Sequence, residues 1–230
     1  MSKSLRSVCA GLAFVLMLAA PALGQGPAAS NTGFFLSLSV QNIQLKGDLA
    51  GDLTLWHFDK AFFIPKMENT FGLSLGFGYR REGGLWEFAV VHASPAILLN
   101  GRSGRASYYN LEVNGWGFPW KNAAVQPYYL IGLCFPWLVV QDGARMEHTV
   151  NDATYTGLGL NLGAGLLVNL GPGLFISGGV KYRYLGFFYV NGGGKGRDIT
   201  DLTVGHDGPQ WGKWLRAPSL SAVFHIGFRI

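Results

Sequence analysis

The sequence predicts an all-β fold: an eight-stranded antiparallel up-and-down transmembrane β-barrel, preceded by a cleavable signal peptide. Three observations support this prediction. Charged residues make up only 13% of the 230-residue chain, whereas soluble domains average about 25%. No apolar run after the signal segment reaches the roughly 18 residues that a membrane-spanning helix needs. Several segments alternate apolar residues with small or polar ones at period two, which is typical of barrel strands.

Residues 1–24 have the features of an export signal. A short basic segment contains Lys3 and Arg6, an apolar run covers residues 8–20, and small residues precede Gln25. We therefore expect this segment to be cleaved from the mature protein. Loss of the two basic residues lowers the formal net charge of +5 by two, to +3.

The mature chain is predicted to consist of a short N-terminal segment, residues 25–32, and one barrel domain, residues 33–230. Cys9 belongs to the signal, so Cys134 is the single mature cysteine and no internal disulfide is expected. The basic residues are scattered along the chain, which gives no support to nucleic-acid binding.

Five segments alternate clearly enough to be assigned as strands. In residues 71–80, large apolar residues at odd positions alternate with small or basic residues at even positions. Such frequent glycine is incompatible with a helix, where each glycine costs about 1 kcal/mol. The five segments are residues 34–41, 71–80, 155–168, 174–188 and 219–230.

Three weaker segments complete the predicted set of eight strands. Residues 85–93 are apolar on both faces, and residues 107–116 alternate but are rich in Asn and Glu. Residues 125–140 contain Pro136, which cannot donate a ladder hydrogen bond. We therefore expect a bulge or a strand end near this proline.

Connection lengths predict the orientation of the barrel. The second, fourth and sixth connections are short, whereas the first (residues 46–70) and the seventh (residues 191–214) are long. Outer-membrane barrels have short periplasmic turns and longer outer loops. The long loops are therefore expected to lie outside the cell.

The chain resembles the small outer-membrane barrels typified by OmpA, OmpX and OmpW. The resemblance depends on residues 126–133 (QPYYLIGL), on the glycine-alternating strands and on the terminal Phe224-x-Ile226-x-Phe228-x-Ile230. It implies an outer-membrane location, contact with outer-membrane lipid and lipopolysaccharide, and biogenesis by the barrel-assembly machinery. In the family that machinery reads the terminal strand, which usually ends in Phe where this chain has Ile230.

Alternation also predicts which charged residues point into the barrel. An eight-stranded barrel is just wide enough to be filled by its own side chains. We expect these charges to form a paired core that closes the interior, with Arg80 and Glu87 as one pair. A narrow path for small solutes or ions is the alternative, and the basic excess would favour anions. The inward-facing charged residues are Arg80, Glu87, Glu112, Lys181, Arg183, His225 and Arg229.

One motif points to an enzyme. His92-Ala93-Ser94 resembles the His-x-Ser motif of lipid A deacylases, which are small outer-membrane barrels. The resemblance implies Ser94 as nucleophile and His92 as base. However, Pro95 stands where that family usually has Asn. Glu112, the nearest candidate acid on the next strand, lies at a position whose side chain should point into the barrel, whereas His92 should point outward. We therefore predict no catalytic residues and keep a lipid A acyl hydrolase as the second alternative.

The first long loop is unusually apolar and includes residues 53–58 and 62–65. It is expected to fold over the barrel mouth, to extend the strands above the membrane, or to dip into lipid headgroups; a ligand site is the less favoured use. His57 and Asp59 are too few to hold a metal. Asp198, Asp201 and Asp207 do not match EF-hand spacing. No metal or cofactor is expected.

Aromatic residues are predicted to form two membrane-interface girdles. Taken together, these features predict a structural or surface-interaction barrel of the outer membrane, whose surface ligand the sequence does not reveal. The outer girdle would consist of Trp211, Trp214, Tyr182, Tyr184 and Phe188, and the periplasmic girdle of Trp86 and Trp120.

Overall fold

The computed structural model describes residues 32–230, apart from positions 52, 59, 100, 121–122, 147, 172 and 205–209. The predicted signal peptide, residues 1–24, lies outside the described residues, as does all but the last residue of the segment 25–32. Among the helices of the described residues, none is long and apolar enough to cross a membrane.

The described chain is all-β, with two 3-10 turns at Gly47–Ala50 and Ile199–Asp201. The strands are β1 (Gly33–Leu45), β2 (Leu53–His57), β3 (Lys60–Ile64), β4 (Lys66–Met67), β5 (Thr70–Arg81), β6 (Gly84–Ala93), β7 (Ala96–Leu99), β8 (Arg102–Gly117), β9 (Val125–Met146), β10 (Thr149–Gly171), β11 (Leu174–Gly192), β12 (Lys195–Asp198), β13 (Thr203–Val204), β14 (Leu215–Arg216) and β15 (Ser219–Arg229).

The strands form one antiparallel sheet that closes on itself. The long strands pair in the order β1, β5, β6, β8, β9, β10, β11 and β15, and β15 pairs back onto β1 with Phe228 opposite Leu36. Closure leaves the wall without a free edge. The sheet has 15 strands in all, more than the sequence predicted, because the long loops contribute short strands of their own.

Alternating burial along the strands agrees with the predicted parity. In β5, Phe71, Leu73 and Leu75 are 73%, 61% and 64% exposed, whereas Ser74 and Arg80, of the opposite parity, are 7% and 6% exposed. Apolar side chains therefore cover the outside of the barrel, and small or polar ones fill its interior.

The bulge expected near Pro136 is absent. β9 continues through this residue, which is buried and lies opposite Asn110 of β8. Along β10, the ladder passes in one register from Trp137 opposite Thr156 to Cys134 opposite Gly159. The prediction was wrong because the ladder with β10 omits the pairs of Phe135 and Pro136, so the proline is not required to donate a hydrogen bond there.

The two ends of the barrel differ. The short-turn end carries the short connections after β5, β8 and β10, and the long-loop end carries the first loop and the loop between β11 and β15. The first loop folds over the barrel mouth: β3 pairs with β9, with Phe62 opposite Ala144, and β2 pairs with β13. The loop residues that are buried there, here named the loop plug, are Leu49, Leu55, Phe62, Ile64, Met67, Ile199 and Leu202.

Candidate functional site

The centre of the barrel holds a buried ion-paired layer organised around Glu112. Lys181 Nζ lies 2.7 Å from Glu112 Oε2, and Arg183 Nε lies 2.8 Å from Oε1. Asn110 and Asn114 donate amide hydrogen bonds of 2.9 and 3.2 Å to the same carboxylate. Both oxygens are therefore satisfied by charged and neutral donors, as a buried carboxylate requires.

Arg183 connects this layer to the opposite wall. Its side chain is 1% exposed, and its terminal nitrogens donate to Ser221 Oγ at 2.9 Å and to Gln41 Oε1. These partners belong to β15 and β1, so one guanidinium bridges three strands and Glu112 on a fourth. The Arg183 guanidinium is therefore fixed between strands β8, β15 and β1 and occupies the barrel interior between them.

Glu87 is held by neutral partners. Its carboxylate accepts hydrogen bonds from Ser37 Oγ at 2.7 Å and from Asn114 Nδ2 at 3.4 Å. His225 lies in the same interior, with Nδ1 3.2 Å from Ser177 Oγ and its ring edge-on to Trp116.

The predicted pair of Arg80 with Glu87 does not form. Arg80 does lie opposite Leu85 as expected, but its guanidinium crosses to the far wall and donates to Asn169 Oδ1 and Gln126 Oε1, both at 2.8 Å. The prediction considered only neighbouring strands, whereas a long side chain in a narrow barrel can reach strands across the axis.

Arg229 was expected to belong to the interior charge network, and its placement is different. By alternation its side chain should point into the barrel, but it is exposed because Arg229 is the last residue of β15, at the short-turn end. There it lines the mouth of a small pocket together with Arg80.

The polar layer is enclosed between apolar clusters. The loop plug and surrounding wall residues form one core at the long-loop end. A hydrated ion would have to cross both clusters as well as the ion-paired layer. The cluster at the short-turn end consists of Phe35, Leu85, Trp116, Phe118, Tyr128, Leu130, Leu167 and Phe175.

Sequence reasoning identified the charged members of this interior and missed its neutral ones. Gln41, Asn110, Asn114 and Asn161 are at most 1% exposed. Each has the same inward parity as the predicted charged residues. The same alternation rule, applied to Asn and Gln as well as to charged residues, would have identified them.

His92 and Ser94 lie at the outer edge of the wall, with Ser94 Oγ 3.5 Å from His92 Nε2. The histidine ring stacks on Tyr109 at 4.7 Å between centroids. Glu112, the natural acid of the predicted motif, is fully buried and bound to Lys181 and Arg183. The described contacts therefore give His92 no carboxylate to orient its ring.

Two of the residues considered as metal ligands, His57 and Asp198, make other contacts. His57 packs edge-on against Phe58, and Asp59 and Asp207 lie outside the described residues. Asp198 accepts hydrogen bonds from the Thr200 backbone N–H and hydroxyl, which lower the pKa of its carboxyl group. Within the described chain, no cluster of three or more His, Cys, Asp or Glu residues could hold a metal ion.

The predicted girdles are largely exposed as expected. Trp214, Tyr182 and Tyr184 are 48%, 41% and 45% exposed, and Trp86 and Trp120 are 59% and 65% exposed. Phe188 packs against Trp214 with the rings tilted and their centroids 5.4 Å apart.

Trp211 is an exception to the predicted girdle. It packs against the core at the long-loop end, and its backbone N–H donates to Leu202. The prediction was wrong because the loop that carries it folds back over the barrel.

An open groove of about 840 Å³ lies at the long-loop end, between the β7–β8 and β9–β10 hairpins. Phe63, Leu99 and Val150 provide apolar surface, and Arg102 and Arg105 are exposed. Asp142 also lines the groove, so the lining combines two basic side chains, one acidic side chain and an apolar wall.

No protein-family model and no curated protein matches the sequence. Among solved structures, Neisserial surface protein A has a TM-score of 0.51 at 15% identity, over 84% of this chain and 96% of that one. The outer membrane protein OprG from Pseudomonas aeruginosa has a TM-score of 0.51 at 12% identity, over 90% of this chain and 100% of that one. Similarity at such low identity shows the fold alone: the chain has the antiparallel all-β fold of outer-membrane β-barrel proteins.

Proposed function

We propose that this chain is an integral protein of the bacterial outer membrane. In this proposal it is an eight-stranded transmembrane barrel with a closed interior that acts through its long-loop end. The observation that carries the proposal is the ion-paired layer of Glu112, Lys181 and Arg183, which is at most 6% exposed and lies between two apolar clusters.

The outer face of the barrel supports the membrane location. Large apolar side chains such as Phe34, Leu75 and Phe88 are 52%, 64% and 56% exposed. Monomeric soluble proteins rarely expose apolar patches beyond a few hundred Å², so this surface is suited to outer-membrane lipid and lipopolysaccharide.

The last strand supports biogenesis by the barrel-assembly machinery. The proposed assembly signal alternates along β15 and continues to the final residue. Phe228 and Ile230 are 52% and 69% exposed, so this half of the signal lies on the outside of the wall, where a recognition factor has access. The signal consists of Phe224, Ile226, Phe228 and Ile230.

A conductance measurement tests the closed interior. Purified folded protein in planar bilayers should produce no conductance steps, with a large porin inserted under the same conditions as the positive control. Reproducible steps would overturn the proposal and support the alternative, a narrow channel for small solutes or ions.

The groove at the long-loop end is the proposed interaction surface. Arg102 and Arg105 outnumber the one acid of the lining, Asp142, and so favour an anionic ligand. Phe63, Leu99 and Val150 favour one with an apolar part. A phosphorylated glycolipid such as lipopolysaccharide has both. Arg102→Ser with Arg105→Ser should weaken binding to lipopolysaccharide vesicles, whereas Arg81→Ser at the opposite end should not. Equal binding by both variants would exclude the groove.

A lipid A acyl hydrolase is the second candidate, and the 3.5 Å contact of His92 with Ser94 is the observation that favours it. Mass spectra of lipid A from cells with and without the protein test it. The enzyme would be supported if lipid A loses acyl chains in cells with the wild-type protein or with the Ser107→Ala control. Cells with the Ser94→Ala variant should keep those chains. Unchanged acylation would end that hypothesis.

A further inference from the structure

A basic patch lies on the outside of the wall at the long-loop end, where β1 and β11 flank the segment that leads from β14 into β15. It is here named the rim patch and consists of Lys46, Asp48, Lys213 and Arg216. The three cations are exposed, and the acid is half-buried. The patch lies on the opposite side of the barrel from the groove, because β15 is four wall strands from β8, and β1 is four from β9.

Lys46 and Arg216 both lie on the outer face of the wall. The two chain neighbours of Arg216 are fully buried, and successive side chains of a strand point to opposite faces. Lys46 follows the buried Leu45, and its backbone N–H donates to Pro218 O at 3.0 Å. The hydrogen-bonded segments therefore place these two cations side by side on one surface.

Asp48 joins the members of the rim patch. Its Oδ2 accepts a hydrogen bond of 2.8 Å from the backbone N–H of Arg216, and its Oδ1 lies 3.5 Å from Lys213 Nζ. One carboxylate offsets one of the three cations, so the patch keeps a net positive charge. Asp198 pairs with Tyr189, whereas Arg216 pairs with residue 186 of the same strand. This acid therefore lies about 10 Å further along β11.

The rim patch lies just beyond the outer aromatic girdle. Leu220 is 53% exposed and pairs with Tyr182 of the girdle, and Arg216 lies four residues further along the same segment, or about 13 Å. The ring of Trp214 packs against Gly186, the residue opposite Arg216. Trp and Tyr side chains lie at the level of the lipid headgroups. The cations of the patch are therefore at the depth where headgroup phosphates are found.

We propose that the rim patch binds the phosphate group of a glycolipid in the outer leaflet, such as lipopolysaccharide. This inference rests on the proposed membrane location and adds a lipid contact on the wall, separate from the groove. Arg216 and Lys46 contact the phosphate through charge-assisted hydrogen bonds. The girdle residues Tyr182 and Trp214 pack against the apolar part of the same lipid.

Native mass spectrometry of the folded chain in detergent micelles tests the site. The probes are lipid A with both phosphates and the same lipid A after removal of its phosphates. A basic residue near an anionic lipid surface contributes about fivefold to affinity, so Lys46→Gln with Arg216→Gln should weaken binding of the phosphorylated probe about 25-fold. Binding of the dephosphorylated probe should not change. Arg81→Gln with Arg145→Gln, at exposed positions outside the patch, should keep the wild-type affinity.

Two results would overturn the proposal directly. One is equal affinity of the wild type and the rim double variant for phosphorylated lipid A. The other is equal affinity of the wild type for the two forms of lipid A. Inorganic phosphate distinguishes the source of the phosphate group: complete displacement of lipid A by an equal concentration of inorganic phosphate would overturn a lipid as the occupant.

The groove variant Arg102→Ser with Arg105→Ser is measured in parallel, so that the two surfaces are tested separately. Weaker binding by the groove variant, with wild-type affinity in the rim variant, would overturn the rim patch and leave the proposed groove intact. Weaker binding by the rim variant, with wild-type affinity in the groove variant, would support the rim patch and exclude the groove.

Discussion

Arg183 Nε lies 2.8 Å from Glu112 Oε1 at the centre of the barrel, with both side chains at most 1% exposed. Lys181 contacts the other oxygen of the same carboxylate. One carboxylate on β8 thus pairs with two cations on β11, a strand separated from β8 by β9 and β10 in the wall.

Replacement of Glu112 by Gln should lower the free energy of unfolding by about 3–5 kcal/mol, because it leaves two buried cations without their counter-charge. Urea unfolding of the protein in lipid vesicles measures this. Glu82→Gln, in an exposed turn, is the matched control and should change stability by less than about 0.5 kcal/mol. Equal effects of the two substitutions would contradict the central role of Glu112.

Phe62→Ala should loosen the loop plug. Phe62 is fully buried, and truncation of a buried Phe typically costs about 3–5 kcal/mol. Trypsin should then cleave the first loop at Lys60 or Lys66 faster than in the wild type. Phe58→Ala in the same loop removes a side chain that is 82% exposed, and the cleavage rate should stay at the wild-type value. A plug that stays resistant after Phe62→Ala would be held by something other than this packing.

Gly76→Ala tests whether the interior is filled. A Cβ at this position would lie 2.3 Å from Ser37 Oγ and 2.8 Å from Glu87 Oε1, so overpacking should cost about 1–3 kcal/mol. Gly115→Ala meets its nearest atom at 3.6 Å and serves as the control. Chemical denaturation of both variants gives the comparison. If both are tolerated equally, the interior has free space at Gly76.

Leu75→Arg tests whether the outside of the barrel wall faces the lipid core. Leu75 is 64% exposed midway along β5, and a lipid-facing Arg at the bilayer midplane costs about 2–4 kcal/mol. Val150→Arg, at the long-loop end, should cost about 0–1 kcal/mol, as expected near an interface. Unfolding in vesicles of one lipid composition measures both. A similar cost at the two sites would argue against a lipid boundary along β5.

The strand segments and their inward and outward faces were predictable from the sequence, because period-two alternation depends only on neighbouring residues. The strands of the loops were not: β2 and β3 carry apolar residues on both faces, since they are covered by other loops and not by lipid. The partners of Arg80 were also beyond local reasoning. They depend on residues 46 and 89 positions away in the chain, brought close only by closure of the barrel.

The pairing of β1 with β15 has a consequence for the order of folding. These strands are the first and the last of the barrel, so the seam between them joins residues 33–45 to residues 219–229. A chain that is only partly synthesised has two unpaired sheet edges and no way to close. Closure of the barrel therefore requires the last strand, β15, and every intermediate that lacks it exposes the backbone donors and acceptors of two sheet edges, which a helper protein would have to shield.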